Sequence, residues 1–184
     1  MGKPAGRVLP QRQWECAKTM MEAKPFRPCT CSIPTKRKQM TRTDALASAA
    51  AYFDDGGFFA DLQRRIAFRT ESDTGAATPA LEAYLRSELV PPLEALGFDC
   101  ELIANPAAGG GPFLIARRIE GAELPTVLSY GHGDVVSGQD AHWAEGLSPW
   151  SLTVRGERWY GRGRADNKSQ HTVNLGGLAA VLRA

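Results

Sequence analysis

No run in this 184-residue sequence approaches the roughly 18 consecutive apolar residues of a membrane-spanning helix, and the N-terminus lacks the apolar core of a secretory signal. A cytoplasmic protein with no membrane partner is expected. Cysteine is scarce: Cys16, Cys29 and Cys31 fall within the first forty residues and only Cys100 lies beyond them, which is no disulfide framework. Internal repeats and low-complexity tracts are absent. Net charge is nearly absent too, at +2, but that balance hides an asymmetry. Residues 1–40 hold nine Lys or Arg against Glu15 and Glu22, a charge of +7, and the remainder is acidic at −5.

What is present is the ordinary material of one globular domain: 184 residues, 43% hydrophobic and 23% charged, enough for a single core. The head, residues 1–40, mixes Pro4, Pro10, Pro25, Pro28 and Pro34 with scattered charge and carries no helical or strand period. It reads as a basic, disordered extension. Three functional readings stand beside that one: a nucleic-acid arm through Lys36-Arg37-Lys38, an organelle-targeting segment, and a metal site at Cys29-Thr30-Cys31. The last lacks a fourth ligand at zinc-finger spacing, and the two glutamates weigh against a transit peptide. Met40 is an alternative natural start.

From Thr41 the pattern becomes regular. Ala-rich sequence predicts a helix to Phe53, broken at Asp54-Asp55-Gly56-Gly57. Phe58, Leu62 and Ile66 recur four apart on a second helix running to about Arg69. Thr78 as N-cap and Pro79 at the first position open a third, with Leu81, Leu85 and Leu89 on one face, a kink at Pro91-Pro92 and a stop at Gly97. Cys100–Ala104 and Phe113–Ile119 read as strands joined through a glycine-rich loop. Thr126–Tyr130 reads as a strand buried on both faces of an α/β sheet. Residues 150–154 and 158–160 read as a hairpin across a three-residue connection, Arg155-Gly156-Glu157. A last helix from Asn167 is expected to bury Val173, Leu178 and Val181.

Two positions carry chemistry. His132 and Asp134 stand two apart just after the expected strand, and an extended backbone places alternate side chains on one side. A carboxylate accepting the Nδ1 proton of an imidazole leaves Nε2 free for a metal. Gly131 and Gly133 leave room for close backbone approach. Alone, the pair is equally a hydrogen-bonded histidine and a turn cap. The second position is Asp166, about thirty residues on, after the turn Gly161-Arg162-Gly163-Arg164-Ala165. It stands where a helix N-cap often stands, and also where a carboxylate could bridge two metal ions roughly 3.5–4 Å apart.

Taken together, Leu128-Ser129-Tyr130-Gly131-His132-Gly133-Asp134, Trp143, Ser148-Pro149-Trp150, Tyr160-Gly161-Arg162-Gly163 and Asp166-Asn167-Lys168 form an ordered pattern. It resembles the di-zinc metallopeptidase family that includes aminoacylase, acetylornithine deacetylase, succinyl-diaminopimelate desuccinylase and carnosine dipeptidase. The resemblance covers about residues 41–184, read as the N-terminal portion of the catalytic domain. It implies an α/β fold, the N-terminal part of a mixed-sheet α/β/α sandwich with metals at strand ends, truncated in this chain. It also implies that His132 ligates one zinc, Asp166 bridges two, and Asp134 has the catalytic task of orienting His132. Cobalt or manganese are possible substitutes for zinc. Arg162, Asn167 and Lys168 match the motif without a chemical role and are expected to shape the turn and helix start, and Ser169 departs from the family's usual glycine.

The implied reaction is hydrolysis of a peptide or N-acyl amide bond, on a small peptide or N-acyl amino acid. Family members run to several hundred residues, and the part not matched here supplies the general-base glutamate, the remaining ligands and the domain used for homodimerisation. The chain alone is therefore expected to be an inactive fragment. His142 and His171 match no ligand position and read as surface or helix-face residues, and Trp143, Trp150, Trp159 and Tyr160 as packing. Two rivals remain: a truncated, non-catalytic product of such a gene, and a nucleic-acid-binding protein using its basic arm. The arm has no interleaved aromatics and precedes an acidic domain, so no nucleic-acid partner is expected.

Overall fold

The structure is a computed structural model and describes residues 41–72, 78–107 and 109–182, with no description of the Thr78 side chain. All of these lie in one compact unit, Lys38–Ala184. The expectations for the basic head and its cysteines, and for Thr78 as a side-chain cap, lie outside the described residues.

Helix α1 (Arg42–Asp54) starts where the sequence supplies a cap: Thr41 Oγ1 accepts from the Asp44 amide and the Asp44 carboxylate accepts from the Thr41 amide. Helix α2 (Gly57–Ala67) follows and buries Leu62 and Ile66 as expected, and also Arg65. These residues meet Leu152, with Phe58, Phe59 and Trp159 around them, in one of two small cores. Trp159 is thus a packing residue, stacked on Phe53 with ring centroids 5.9 Å apart.

The third helical stretch shows how two prolines reshape a helix. It runs as α3 (Thr78–Tyr84), passes through a π-helical segment, Leu85–Leu89, and resumes as α4 (Val90–Glu94). Pro91 and Pro92 have no N–H, so the carbonyls of Ser87 and Glu88 lose their normal i+4 donors and the ladder widens before the prolines. Arg65 Nη2 supplies a donor to the Glu88 carbonyl at 3.4 Å. Leu85 and Leu89 still share a buried face, joined by Tyr84 and by Leu175 from the last helix in the second core. Gly97 ends the stretch in the left-handed region, φ +81°, with its amide on Glu94 O and that of Phe98 on Leu93 O.

Strands β1 (Asp99–Ile103) and β2 (Phe113–Arg117) pair antiparallel, Asp99 opposite Arg117 and Ile103 opposite Phe113. The hairpin β3 (Thr153–Arg155) and β4 (Arg158–Tyr160) is tighter than the sequence suggested, because Arg155 pairs with Arg158 and only Gly156-Glu157 turn the chain. Among the described residues these pairs form two separate two-stranded sheets.

Two expectations are corrected here. Residues 126–130 form no strand, and Val127, Leu128 and Tyr130 are 89%, 91% and 81% exposed. A strand exists only through its ladder partners, and no described strand lies beside this run to bond its backbone or cover its apolar faces. Helix α5 (Lys168–Leu182) forms, but Val173 and Val181 face solvent and Leu178 is half-buried. The buried stripe is Lys168, His171, Thr172, Leu175 and Ala180. That face is selected by packing against α1 and α2, where Gly176 lies so close to Tyr52 that an added Cβ would come within 2.7 Å of Cε1. No helix among the described residues is long and apolar enough to cross a membrane.

Candidate metal centre

Residues 131–135 cross the molecule as an extended segment held from two sides. On one side, buried Thr70 donates its hydroxyl to Gly133 O at 2.6 Å and accepts the Val135 amide on its carbonyl at 2.8 Å. The Ser72 amide bonds Val135 O, which makes a single parallel bridge between Glu71 and Val135. On the other side, Asn167 at the start of α5 accepts the His132 amide on Oδ1 at 3.3 Å. His132 stands between these supports, half-buried at the mouth of the segment.

Both imidazole nitrogens of His132 meet carboxylates. Nδ1 lies 2.9 Å from Asp134 Oδ1, and Nε2 lies 2.9 Å from Asp166 Oδ1. Ser72 Oγ donates to the other Asp134 oxygen at 2.8 Å, which fixes that carboxylate's plane. Asp166, at the edge of the turn before α5, is 81% exposed, so the Nε2 side opens to solvent. Burial pulls the His132 pKa down, but the carboxylates of Asp166 and Asp134 outweigh it and hold the ring above the ordinary histidine value. The reason is chemical: a neutral imidazole has one N–H, so a carboxylate oxygen against each ring nitrogen favours the doubly protonated ring.

The structure thus brings together the three residues singled out by motif. The Nε2 and Oδ1 atoms form a convergent nitrogen and oxygen donor pair of the kind zinc accepts. Asp134 is occupied with Nδ1 and serves His132. Two donors are not a complete site, and among the described residues no group of three or more His, Cys, Asp or Glu is disposed to hold a metal ion. His142 is exposed, in the short 3-10 turn Asp140–His142.

Three residues support the site beyond what the sequence assigns them, since Asn167 and Lys168 match the motif without a chemical role and His171 reads as a surface or helix-face residue. Asn167 carries a backbone hydrogen bond to His132. Lys168 is fully buried, donates Nζ to Phe68 O at 2.6 Å and lies over the Tyr84 ring, and burial pushes its pKa down to about 7. His171 is buried against Tyr84, its pKa pushed down to about 4 chiefly by desolvation and further by Arg65, His132 and Lys168. A spacing of four along α5 from Asn167 to His171 was the only available sign that both face the loop.

Both shifts lie below the free-chain values of 10.5 and 6.5, so the unfolded chain binds more protons than the folded one in each window. Unfolding free energy should therefore climb with pH from about 4 to 6.5 through His171, by at most about 3 kcal/mol, and again from about 7 to 10.5 through Lys168. Urea titrations at pH 4.5 and 6.5 check the first window: replacing His171 with glutamine should flatten the difference, and an unaltered slope would refute the assignment.

Gly131 and Gly133 are needed for close approach. A Cβ on Gly133 would lie 2.7 Å from Tyr84 Cε1, against a ring with no room to retreat. Gly133→Ala should cost about 1–3 kcal/mol of stability, read as a lowered thermal midpoint.

Residues 128–184, which contain all three of these side chains, match the description Peptidase family M20/M25/M40. The match covers that segment of the chain. Over 90 residues it is 37% identical to the cysteinylglycine-S-conjugate dipeptidase of Corynebacterium striatum, covering 48% of this chain and 19% of that protein. Over 95 residues it is 42% identical to the succinyl-diaminopimelate desuccinylase of Nitrosospira multiformis, covering 51% of this chain and 23% of that protein. The chain thus spans about a fifth of the length of these curated relatives. The solved structure of the dipeptidase Dug1p from Saccharomyces cerevisiae superposes with a TM-score of 0.62 at 19% identity, over 75% of this chain and 30% of that one. This likeness establishes the fold: the mixed helices and strands are part of the α/β dipeptidase fold.

Proposed function

We propose that this chain supplies part of the centre of a zinc-dependent hydrolase of peptide or N-acyl amide bonds, with His132 and Asp166 as metal ligands and Asp134 orienting His132. The observation that carries the reading is the pair of 2.9 Å approaches on the two nitrogens of His132. One carboxylate holds Nδ1, and the other converges with Nε2 on the solvent side, which is the arrangement a neutral histidine ligand with its orienting partner requires. A bound zinc would lower the pKa of a coordinated water and polarise the scissile carbonyl. The chain's own residues hold the donors in place: Ser72 fixes Asp134, and Asn167 fixes the His132 backbone.

Small peptides or N-acyl amino acids are the proposed substrates, since relatives named as a dipeptidase and a desuccinylase share this segment. Residues 41–184 are proposed as the N-terminal portion of the catalytic domain, in a cytoplasmic enzyme that dimerises only as the whole protein. Because only two donors meet at the site among the described residues, the 184-residue chain by itself should bind zinc weakly and turn nothing over. The test combines zinc titration with assays on dipeptides and N-acyl amino acids, with cobalt and manganese as alternative metals. Robust turnover would overturn the partial-site reading, and absence of any metal binding would overturn the ligand assignment.

A further inference from the structure

The two glycines beside His132 each rest on a buried ring. A Cβ on Gly131 would lie 2.5 Å from His171 Nε2, and one on Gly133 would lie 2.7 Å from Tyr84 Cε1. Those two rings are themselves joined, with Tyr84 Oη 2.8 Å from His171 Nδ1 and the ring centroids 5.9 Å apart. Tyr84 is fully buried and His171 nearly so.

The backbone of Gly131 hydrogen-bonds the imidazole of His171 in the sense that favours its proton, so the ring donates and the backbone carbonyl accepts. A neutral imidazole has one N–H. With Nε2–H spent on Gly131, Nδ1 must accept, and the Tyr84 hydroxyl must donate to it. Every hydrogen in the chain from Tyr84 through His171 to Gly131 is thereby assigned, and the chain ends one residue from His132. Such a relay has a job that space-filling does not explain: a leucine would occupy much the same volume with no directional bond to the loop.

We propose that His171 is a positioning residue for His132: fixed between the Tyr84 hydroxyl and the Gly131 carbonyl, it sets where the Gly131–Asp134 segment stands and so how His132 Nε2 meets Asp166. The proposal rests on the metal reading only where metal affinity is measured. Its other readout, the state of the His132 ring, is independent of metal.

Three variants of the full chain test it. His171→Leu keeps the bulk and removes both hydrogen bonds; His171→Gln keeps a donor toward Gly131; Tyr84→Phe removes one oxygen and keeps both rings. Zinc affinity is measured by competition with a chromophoric chelator, and the imidazole nitrogens of the metal-free chains are observed by NMR. His171→Leu should weaken zinc binding about tenfold or more, the range seen for residues that orient ligands, with His171→Gln restoring most of the loss. Tyr84→Phe should shift affinity in the same direction, and because it keeps both rings, a moved His132 resonance in that variant is no ring-current effect. In the wild type, His171 should appear as the Nε2–H tautomer.

If His171→Leu misfolds, Tyr84→Phe carries the test. Should the wild type fail to bind zinc, the metal reading fails and the His132 resonances alone decide the positioning role. Unchanged His132 resonances in folded Tyr84→Phe and His171→Leu would overturn the proposal, as would wild-type zinc affinity in both.

Discussion

Replacing His132 with alanine is expected to weaken zinc binding by this chain at least about 100-fold. Binding free energies of structural zinc sites run to about 10–16 kcal/mol over four ligands, so loss of one removes a few kcal/mol, and each 1.4 kcal/mol is tenfold. Here the effect should be close to complete, because among the described residues only the Nε2 of His132 and Oδ1 of Asp166 converge at the site. Asp166→Asn should act in the same direction, since it removes the charge that offsets the metal's own. Asp134→Asn should cost less, about tenfold, because Asp134 meets His132 Nδ1 and would act on a metal through the orientation of that ring. Chelator competition on the four proteins orders them. An alanine variant that binds as the wild type does would remove His132 from the site altogether.

Breaking the ion pair beneath the site should have the largest effect on stability. Arg65 is 2% exposed, lies 4.0 Å through Nε from Glu88 Oε2, and donates to Thr172 Oγ1 at 2.7 Å and to the Glu88 carbonyl. Arg65→Leu leaves the buried Glu88 carboxylate to Arg64, whose Nε lies 3.5 Å from Oε2, and removes the donor from a carbonyl that Pro92 has already left without its helical partner. A loss of about 3–5 kcal/mol is expected from the weakened pairing of that carboxylate and the carbonyl's lost donor together. The double replacement Arg65→Leu with Glu88→Leu removes that charge and should recover much of the loss. It still leaves the Glu88 carbonyl without its side-chain donor, so a deficit of about 1–3 kcal/mol remains. Urea denaturation of wild type, single and double variants measures both steps. A double variant no better than the single one would show that the carbonyl, and not the charge, dominates.

These two expectations differ in how far they were legible before folding. His132, Asp134 and Asp166 could be singled out by motif, and the His132–Asp134 approach follows from the two-residue period of an extended chain. The meeting of His132 with Asp166, 34 positions on, does not follow from local pattern. It depends on Thr70 and Ser72 clamping one side of residues 133–135 and on Asn167 reaching back from α5. Arg65 gave no signal of its own, because an arginine on an amphipathic helix normally turns outward. It turns inward here because the prolines of the third helical stretch open a carbonyl that needs a donor.

Where apolar spacing was strong and the partners were near in sequence, the chain alone determined the outcome: the capped start of α1, the Leu62 and Ile66 face of α2, the β1–β2 hairpin. Those elements satisfy their backbone groups locally, so their residues suffice to specify them. Tertiary structure decided the rest. Residues 126–130 have the composition of a buried strand, but a strand's hydrogen bonds come from neighbours, and none of the described strands lies beside them. In α5 the apolar residues Val173, Leu178 and Val181 outlined one face, and packing against α1 and α2 buried another, carrying Lys168 and His171 inward beneath the loop that holds His132. Side chains that read as helix-face residues became the floor of the site because burial of a whole helix face is settled by what it packs against, and that is not written in the helix.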